Sequence, residues 1–306
     1  MTAPSLAAVW RRFWFGGGSA IDLGAARIVI AGHALWLLSC RDFAAISGAP
    51  APFWRGAAAA TRYAIVPGHP GAEAFLQSVA LVSLVAALVG VAARPACLVA
   101  GLLLYHLAPY EVVIWTASPY ARGFTVTVLA LFLLGLGPSD HALAVRAPKP
   151  ASADAGDYAW PLRAVQVLLC QIYFFSFLSK LYVDGLAWAR PDNIRKYLLV
   201  FNQDDEVAVF SAIGLFLADR PALCLALGAA TLALEAAFPL VLVSRRARWI
   251  LLPAALLFHA GVLVAMNVFF FNVPQLLVLV RWEELISRMR LRIRGPRWRG
   301  RTAATP

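Results

Sequence analysis

Charge is scarce in this sequence. Only 14% of its residues are Asp, Glu, Lys or Arg, against roughly 25% in ordinary globular domains. Lysine is nearly absent: Lys149, Lys180 and Lys196 are the three among 27 basic residues. The four cysteines, Cys40, Cys97, Cys170 and Cys224, lie in apolar segments without a CxxC spacing. That excludes a disulfide framework and a cysteine metal site, and leaves them as small hydrophobes. A Walker motif, GxGxxG, HExxH and a nucleophile elbow are all missing, which excludes the soluble catalytic domains those motifs mark. Paired Gly-broken helices are missing too, which weighs against a transporter. Neither the alternating strands of a barrel nor a solenoid repeat is visible.

Apolar sequence is what the chain has in quantity. Hydrophobic residues make up 61% of its 306 positions, and runs of nearly 20 recur throughout. The pattern predicts an all-α, polytopic transmembrane helical bundle of about eight spans, with seven to nine as the range. The spans are expected at 24–46, 73–94, 96–117, 121–138, 160–187, 220–243, 247–266 and 268–282. The first would act as an uncleaved anchor. VAVFSAIGLFLA (207–218) is too short to cross at about 1.5 Å per residue, so 189–219 reads as an outer-face cap or re-entrant helix. One of the two crossings required of 249–282 is expected to be partial.

The net charge of +11 does not point to nucleic acid, because of where it lies. Arg281, Arg288, Arg290, Arg292, Arg294, Arg297, Arg299 and Arg301 form a juxtamembrane basic tail. Such a tail suits a bilayer with an anionic cytoplasmic leaflet, at about 1 kcal/mol per basic residue near the surface. Residues 1–22 carry Leu6, Trp10, Phe13 and Trp14 near one helical face beside Arg11 and Arg12, the pattern of an interfacial amphipathic helix. The positive-inside rule puts these residues, Arg94, the linker 139–159 with Arg146 and Lys149, the 245–248 arginines and the tail 283–306 on the cytoplasmic side. The expected location is therefore a bacterial inner membrane, multi-pass, with both termini cytoplasmic.

Few residues within the spans can carry chemistry. Lys180 is expected near the outer boundary, with Tyr173, Ser176 and Asp184 on its helical face. It reads either as half of an i,i+4 pair with Asp184 or a side chain snorkelling to the headgroups, or as a desolvated lysine able to act as a neutral base. His259 reads equally as an interhelical hydrogen-bond partner and as a functional group. Glu235 is costly unless protonated or paired, and Arg27 is the expected partner. Glu111 and Arg122 are expected to pair across a connection. The segment 105–123, dense in polar and aromatic residues, fits a cavity rim or an aromatic belt.

Several stretches resemble the vitamin K-dependent gamma-carboxylase and the broader HTTM membrane family. "YFFSFLSKL" (173–181) with Trp188 looks like the family's tyrosine-to-lysine helix and following tryptophan. "LFHAGVLVAMNVFFF" (257–271) looks like its Phe-His segment, "LEAAFPLVL" (234–242) like its acidic helix, and "WTASPYARG" (115–123) like a segment with Trp, His, Tyr and Gly. The resemblance covers roughly 20–282 and rests on the order and spacing of degenerate motifs. It implies that Lys180 is the general base for a quinol such as vitamin K hydroquinone, with His259 beside it as a catalytic residue. It also implies that Tyr173, Ser176, Trp188, Glu235, Trp115, Ser118 and Tyr120 contact substrate or cofactor, that no metal is needed, and that a peptide or protein is the substrate. Ser179 stands where the carboxylase has a second lysine and Ser118 where its essential histidine falls, so the resemblance carries the base and the scaffold further than glutamate carboxylation itself. Against this carboxylase-like enzyme stands a non-enzymatic membrane accessory or partner protein for peptide maturation, secretion or immunity, using the outer cap and the tail as contact surfaces.

Overall fold

A computed structural model describes residues 5–50, 52, 54, 68–114, 123–147, 154–203 and 211–293. Among these residues the regular structure is helical throughout. Five helices are long and apolar enough to cross a membrane, which makes this a multi-pass membrane architecture. The helices are α1 (Leu6–Phe15), α2 (Ala20–Ser39), α3 (Phe43–Ser47), α4 (Pro70–Val89), α5 (Ala93–Ile114), α6 (Gly123–Leu136), α7 (Ala155–Asp184), α8 (Pro191–Val200), α9 (Ser211–Ala218), α10 (Pro221–Ala237), α11 (Arg245–Met266) and α12 (Trp282–Ile293). Three 3₁₀ turns, Gly185–Ala189, Phe238–Leu242 and Val273–Leu279, join or extend them.

Local chemistry fixes the helix ends. Ser19 Oγ accepts from Ile21 and Asp22 N–H and starts α2. Asp42 does the same for Ala45 and starts α3, so the span expected over 24–46 stops at Ser39 and the polar Arg41–Asp42 pair separates two helices. Pro70 and Pro221 occupy first-turn positions, where a missing N–H costs nothing. Gly90 ends α4 with φ +82°, and a Cβ there would meet Ala144 at 2.4 Å. Only glycine fits that left-handed, crowded turn.

The first group of helices, α2, α4, α5, α6 and the start of α7, shares one core that includes Leu23, Ile30, Leu84, Leu104 and Leu131. Arg27, wholly buried, ties this group together at one end. Its Nη1 donates to Ala87 O (2.7 Å) near the end of α4 and its Nη2 to Leu143 O (2.6 Å) in the segment after α6, satisfying one carbonyl of each. A second core joins α7, the turn at 238–242, α11 and the segment after it, through Tyr173, Phe238, Ala255 and Leu279. A third lies where the short α8 and α9 meet the ends of α10 and α11, around Ile194, Leu198, Ala218, Cys224 and Ala265.

The stretch 268–282 departs from the expected helical span. Asn267 ends α11 in the left-handed region, and Pro274 sits at the start of a 3₁₀ turn. This irregular segment is packed within the protein: Gln275, Leu276, Val278 and Leu279 are buried. Side chains from other helices satisfy its backbone. His33 Nε2 meets Phe271 O at 2.9 Å, Gln166 Nε2 donates to Val278 O at 3.1 Å, and Asp22 accepts from Glu283 N–H at 2.9 Å. Non-helical backbone at membrane depth is tolerated only with such protection. Since Asp22 and His33 are 11 positions apart on α2, about 16 Å of helix, the segment runs antiparallel beside α2 over that length.

Candidate functional site

The site is built on α7, whose capping box at Asp154 and Asp157 opens a 30-residue helix. Tyr173 and Lys180 lie two turns apart on one face, about 10 Å along the axis. Each reaches a different partner on the facing helices.

Lys180 Nζ donates to both oxygens of Glu235 on α10, at 2.7 and 2.9 Å. The lysine side chain is 20% exposed and the glutamate 6%, so the pair is largely withdrawn from solvent. Nζ also stands 5.0 Å from the centroid of the Trp188 ring, a cation–π contact worth about 0.5–2 kcal/mol depending on desolvation. Trp188 is carried there by the 3₁₀ turn that follows Gly185, whose φ of +61° ends α7. Gly228 on α10 lets that turn approach; a Cβ there would stand 2.8 Å from Ala189 Cα.

This geometry corrects two expectations. Lys180 pairs with Glu235 and not with Asp184 one turn on, because a buried carboxylate gains more from a cation than an exposed one. Glu235 is matched by Lys180 and not by Arg27, which is committed to the carbonyls of Ala87 and Leu143.

Two turns along α7, Tyr173 Oη and His259 Nε2 of α11 are hydrogen-bonded at 2.7 Å. The tyrosine ring stacks on Phe238 at 3.8 Å between centroids. His259 packs against Phe270 at 4.9 Å and Phe258 at 5.2 Å. Its Nδ1 is buried and meets no hydrogen-bond partner among the described residues. The structure thus brings Lys180, Glu235 and Trp188 together, and Tyr173 with His259, on one helix face. Ser176 is half-buried between the two sets. Trp115, Ser118 and Tyr120 lie outside the described residues, as do Arg122, Lys149 and the side chain of Glu111.

Two further polar clusters have no counterpart in the sequence reading. Glu73, 2% exposed, accepts from Tyr110 Oη at 3.0 Å and meets His106 Nε2 at 3.1 Å. Gln275 Nε2 donates to Thr127 Oγ1 at 2.7 Å and meets His33 Nδ1 at 2.9 Å. Amides and carboxylates inside apolar runs were the available signal, since each must find a partner when buried. No group of three or more His, Cys, Asp or Glu able to hold a metal occurs among the described residues. An open cleft of about 680 Å³ lies away from all these groups, between Arg11 and Arg12 of α1 and Asp154 and Asp157 at the start of α7.

Compared with models of known protein families, with curated proteins and with solved structures, the chain matches nothing.

Proposed function

We propose that this protein is an integral membrane enzyme resembling the transmembrane part of the vitamin K-dependent carboxylase, with Lys180 as the general base acting on a quinol or a lipid-like hydroxyl. One observation carries the reading: the chain's only lysine inside an apolar span is bonded through Nζ to both carboxylate oxygens of Glu235. Ionisable groups within membrane segments are rare, and they are functional by default. A proton can pass from the Lys180 ammonium to Glu235 across this contact without rearrangement, which frees the amine to act as a base. The neutral amine then takes the proton of a substrate hydroxyl, leaving an oxyanion beside the ammonium it has formed. Tyr173, Ser176, His259 and Trp188 line the approach, and the aromatic wall around His259 suits a planar, apolar ligand.

In this reading α5, α6 and the irregular return after Asn267 also cross, bringing the total to eight. The ends carrying Arg245 and the tail then face an anionic cytoplasmic leaflet of a bacterial inner membrane, and α8 and α9 lie at the outer face over a peptide or protein substrate.

The test uses full-length protein in proteoliposomes. Native mass spectrometry should find a bound quinone, and added vitamin K hydroquinone should be consumed. Lys180→Ala and Lys180→Arg should both abolish consumption while the protein stays folded and inserted, because arginine keeps the charge but does not release its proton. A fully active Lys180→Arg overturns the base assignment.

A second reading is favoured by the closure of the same pair. With both carboxylate oxygens held, Lys180–Glu235 also serves as a clamp between α7 and α10 in a non-enzymatic accessory protein for peptide maturation, secretion or immunity. Deleting residues 283–306 should then damage function more than changing Lys180.

A further inference from the structure

We infer that Arg163, Arg248 and Arg281 form a binding site for a phosphate group, the phosphodiester of an anionic phospholipid headgroup. The three come from separate parts of the chain and converge at the end of the bundle where the Phe238–Leu242 turn stops. Arg163 Nη1 donates to Leu242 O at 3.2 Å. Arg248 donates to the neighbouring Val241 O through Nε at 3.0 Å and Nη2 at 2.8 Å. Two guanidinium groups are thereby fixed side by side on consecutive carbonyls. Arg281 closely follows the last 3₁₀ turn, whose Val278 O accepts from Gln166. Gln166 Oε1 in turn accepts from Arg163 Nη1 at 3.3 Å. That brings Arg281 to the same end of the bundle, where its charge acts on both Arg163 and Arg248.

Three cations gathered this way need counter-charge, and the protein supplies little. Asp22, whose Oδ1 also accepts from Glu283 N–H, is a single carboxylate near both Arg248 and Arg281. Glu284 is divided among Arg245, Arg288 and Arg281, the last at 3.7 Å. Each guanidinium offers five N–H donors in a planar fork. Among the described residues, Nε and Nη2 of Arg163 and Nη1 of Arg248 have no acceptor. Forks of this kind match phosphate oxygens in pairs. The half-buried Arg163 also lies 5.6 Å over the Phe13 ring of α1, so it is held from both sides.

The surroundings favour a lipid as the source of the phosphate. Leu240, Val243, Trp249 and Ile250, next to the cluster in sequence, are each more than half exposed. They offer apolar surface to acyl chains beside a site for the headgroup. Tryptophan at such a boundary is the usual anchor of a membrane interface.

The test compares full-length protein and variants for retained phosphatidylglycerol against phosphatidylcholine by native mass spectrometry, with inorganic phosphate as a second probe. Among the described residues Arg281 bonds no backbone carbonyl and pairs only with Glu284, at 3.7 Å and half exposed, so Arg281→Gln leaves the packing intact. It should lower phosphatidylglycerol retention roughly fivefold, the effect of one basic residue at an anionic surface. Arg248→Gln with Arg281→Gln should lower it further, while Arg297→Gln with Arg299→Gln in the tail should leave it unchanged. Binding of inorganic phosphate that depends on Arg281, without retained lipid, assigns the same site to the free anion. If Arg281→Gln changes neither probe, or the tail variant loses the lipid to the same degree, the site is overturned and diffuse tail charge explains the affinity.

Discussion

Replacing Glu235 by Gln keeps the side chain's shape and removes the only charge bonded to Lys180 Nζ. At 2.7 Å and an effective dielectric of about 20, the gross attraction is on the order of 6 kcal/mol. Much of that is offset by the cost of withdrawing both ions from water. Breaking such a pair from one side leaves an uncompensated ion and costs about 3–5 kcal/mol. Lys180 keeps a fifth of its side-chain surface exposed and can turn partly outward, so the low end, about 3 kcal/mol, is expected. For a chain of 306 residues that lowers the midpoint of thermal unfolding by roughly 5 °C. Tryptophan fluorescence of the protein in detergent reads it directly. Lys180→Met should cost a similar amount, and the double variant about the same as either single one, giving a coupling of about 3 kcal/mol in a double-mutant cycle. Single effects that add to within about 0.5 kcal/mol would refute the pair as a coupled unit.

Three further outcomes follow from the same geometry. Gln275→Ala removes the amide that donates to Thr127 Oγ1 and meets His33 Nδ1 and should cost about 1 kcal/mol, seen as faster amide exchange across 271–280. Arg27→Met leaves the carbonyls of Ala87 and Leu143 without their donor; a loss of about 2–3 kcal/mol per charge-assisted bond should appear as a lower unfolding midpoint, even though the hydrophobic volume is kept. Gly228→Val forces α10 away from Ala189 and should destabilise by about 1–3 kcal/mol, and the displaced Trp188 should show a shifted emission maximum.

The sequence reading reached the membrane architecture because long apolar runs leave few alternatives for a backbone that must satisfy itself. Lys180, His259 and Glu235 stood out as titratable groups inside apolar runs, and Trp188 entered through the resemblance. Which of them touch was beyond it. The i,i+4 rule pointed Lys180 to Asp184, since helical periodicity relates residues only within one helix; the Glu235 contact spans 55 positions and depends on how α7 faces α10. Arg27 was matched to Glu235 by charge alone, yet a guanidinium can be satisfied by carbonyls, and Ala87 near the end of α4 and Leu143 after α6 supplied them. The last crossing was expected over 268–282, with one of the two crossings of 249–282 partial. Asn267 and Pro274 were visible at its start, but the His33, Gln166 and Asp22 side chains that make an irregular return affordable belong to distant helices.

That irregular return has a consequence for the order of assembly. A helix carries its own hydrogen bonds into lipid, but the segment from Phe271 to Glu283 borrows them from α2 and α7. It therefore depends on those two helices for its place in the fold, as a helix that satisfies its own backbone does not. Its lenders are made first during synthesis, and the segment docks last, against a surface already in place. The C-terminal region thus acts as a closing latch, and its seating reports on whether the upstream bundle has formed correctly.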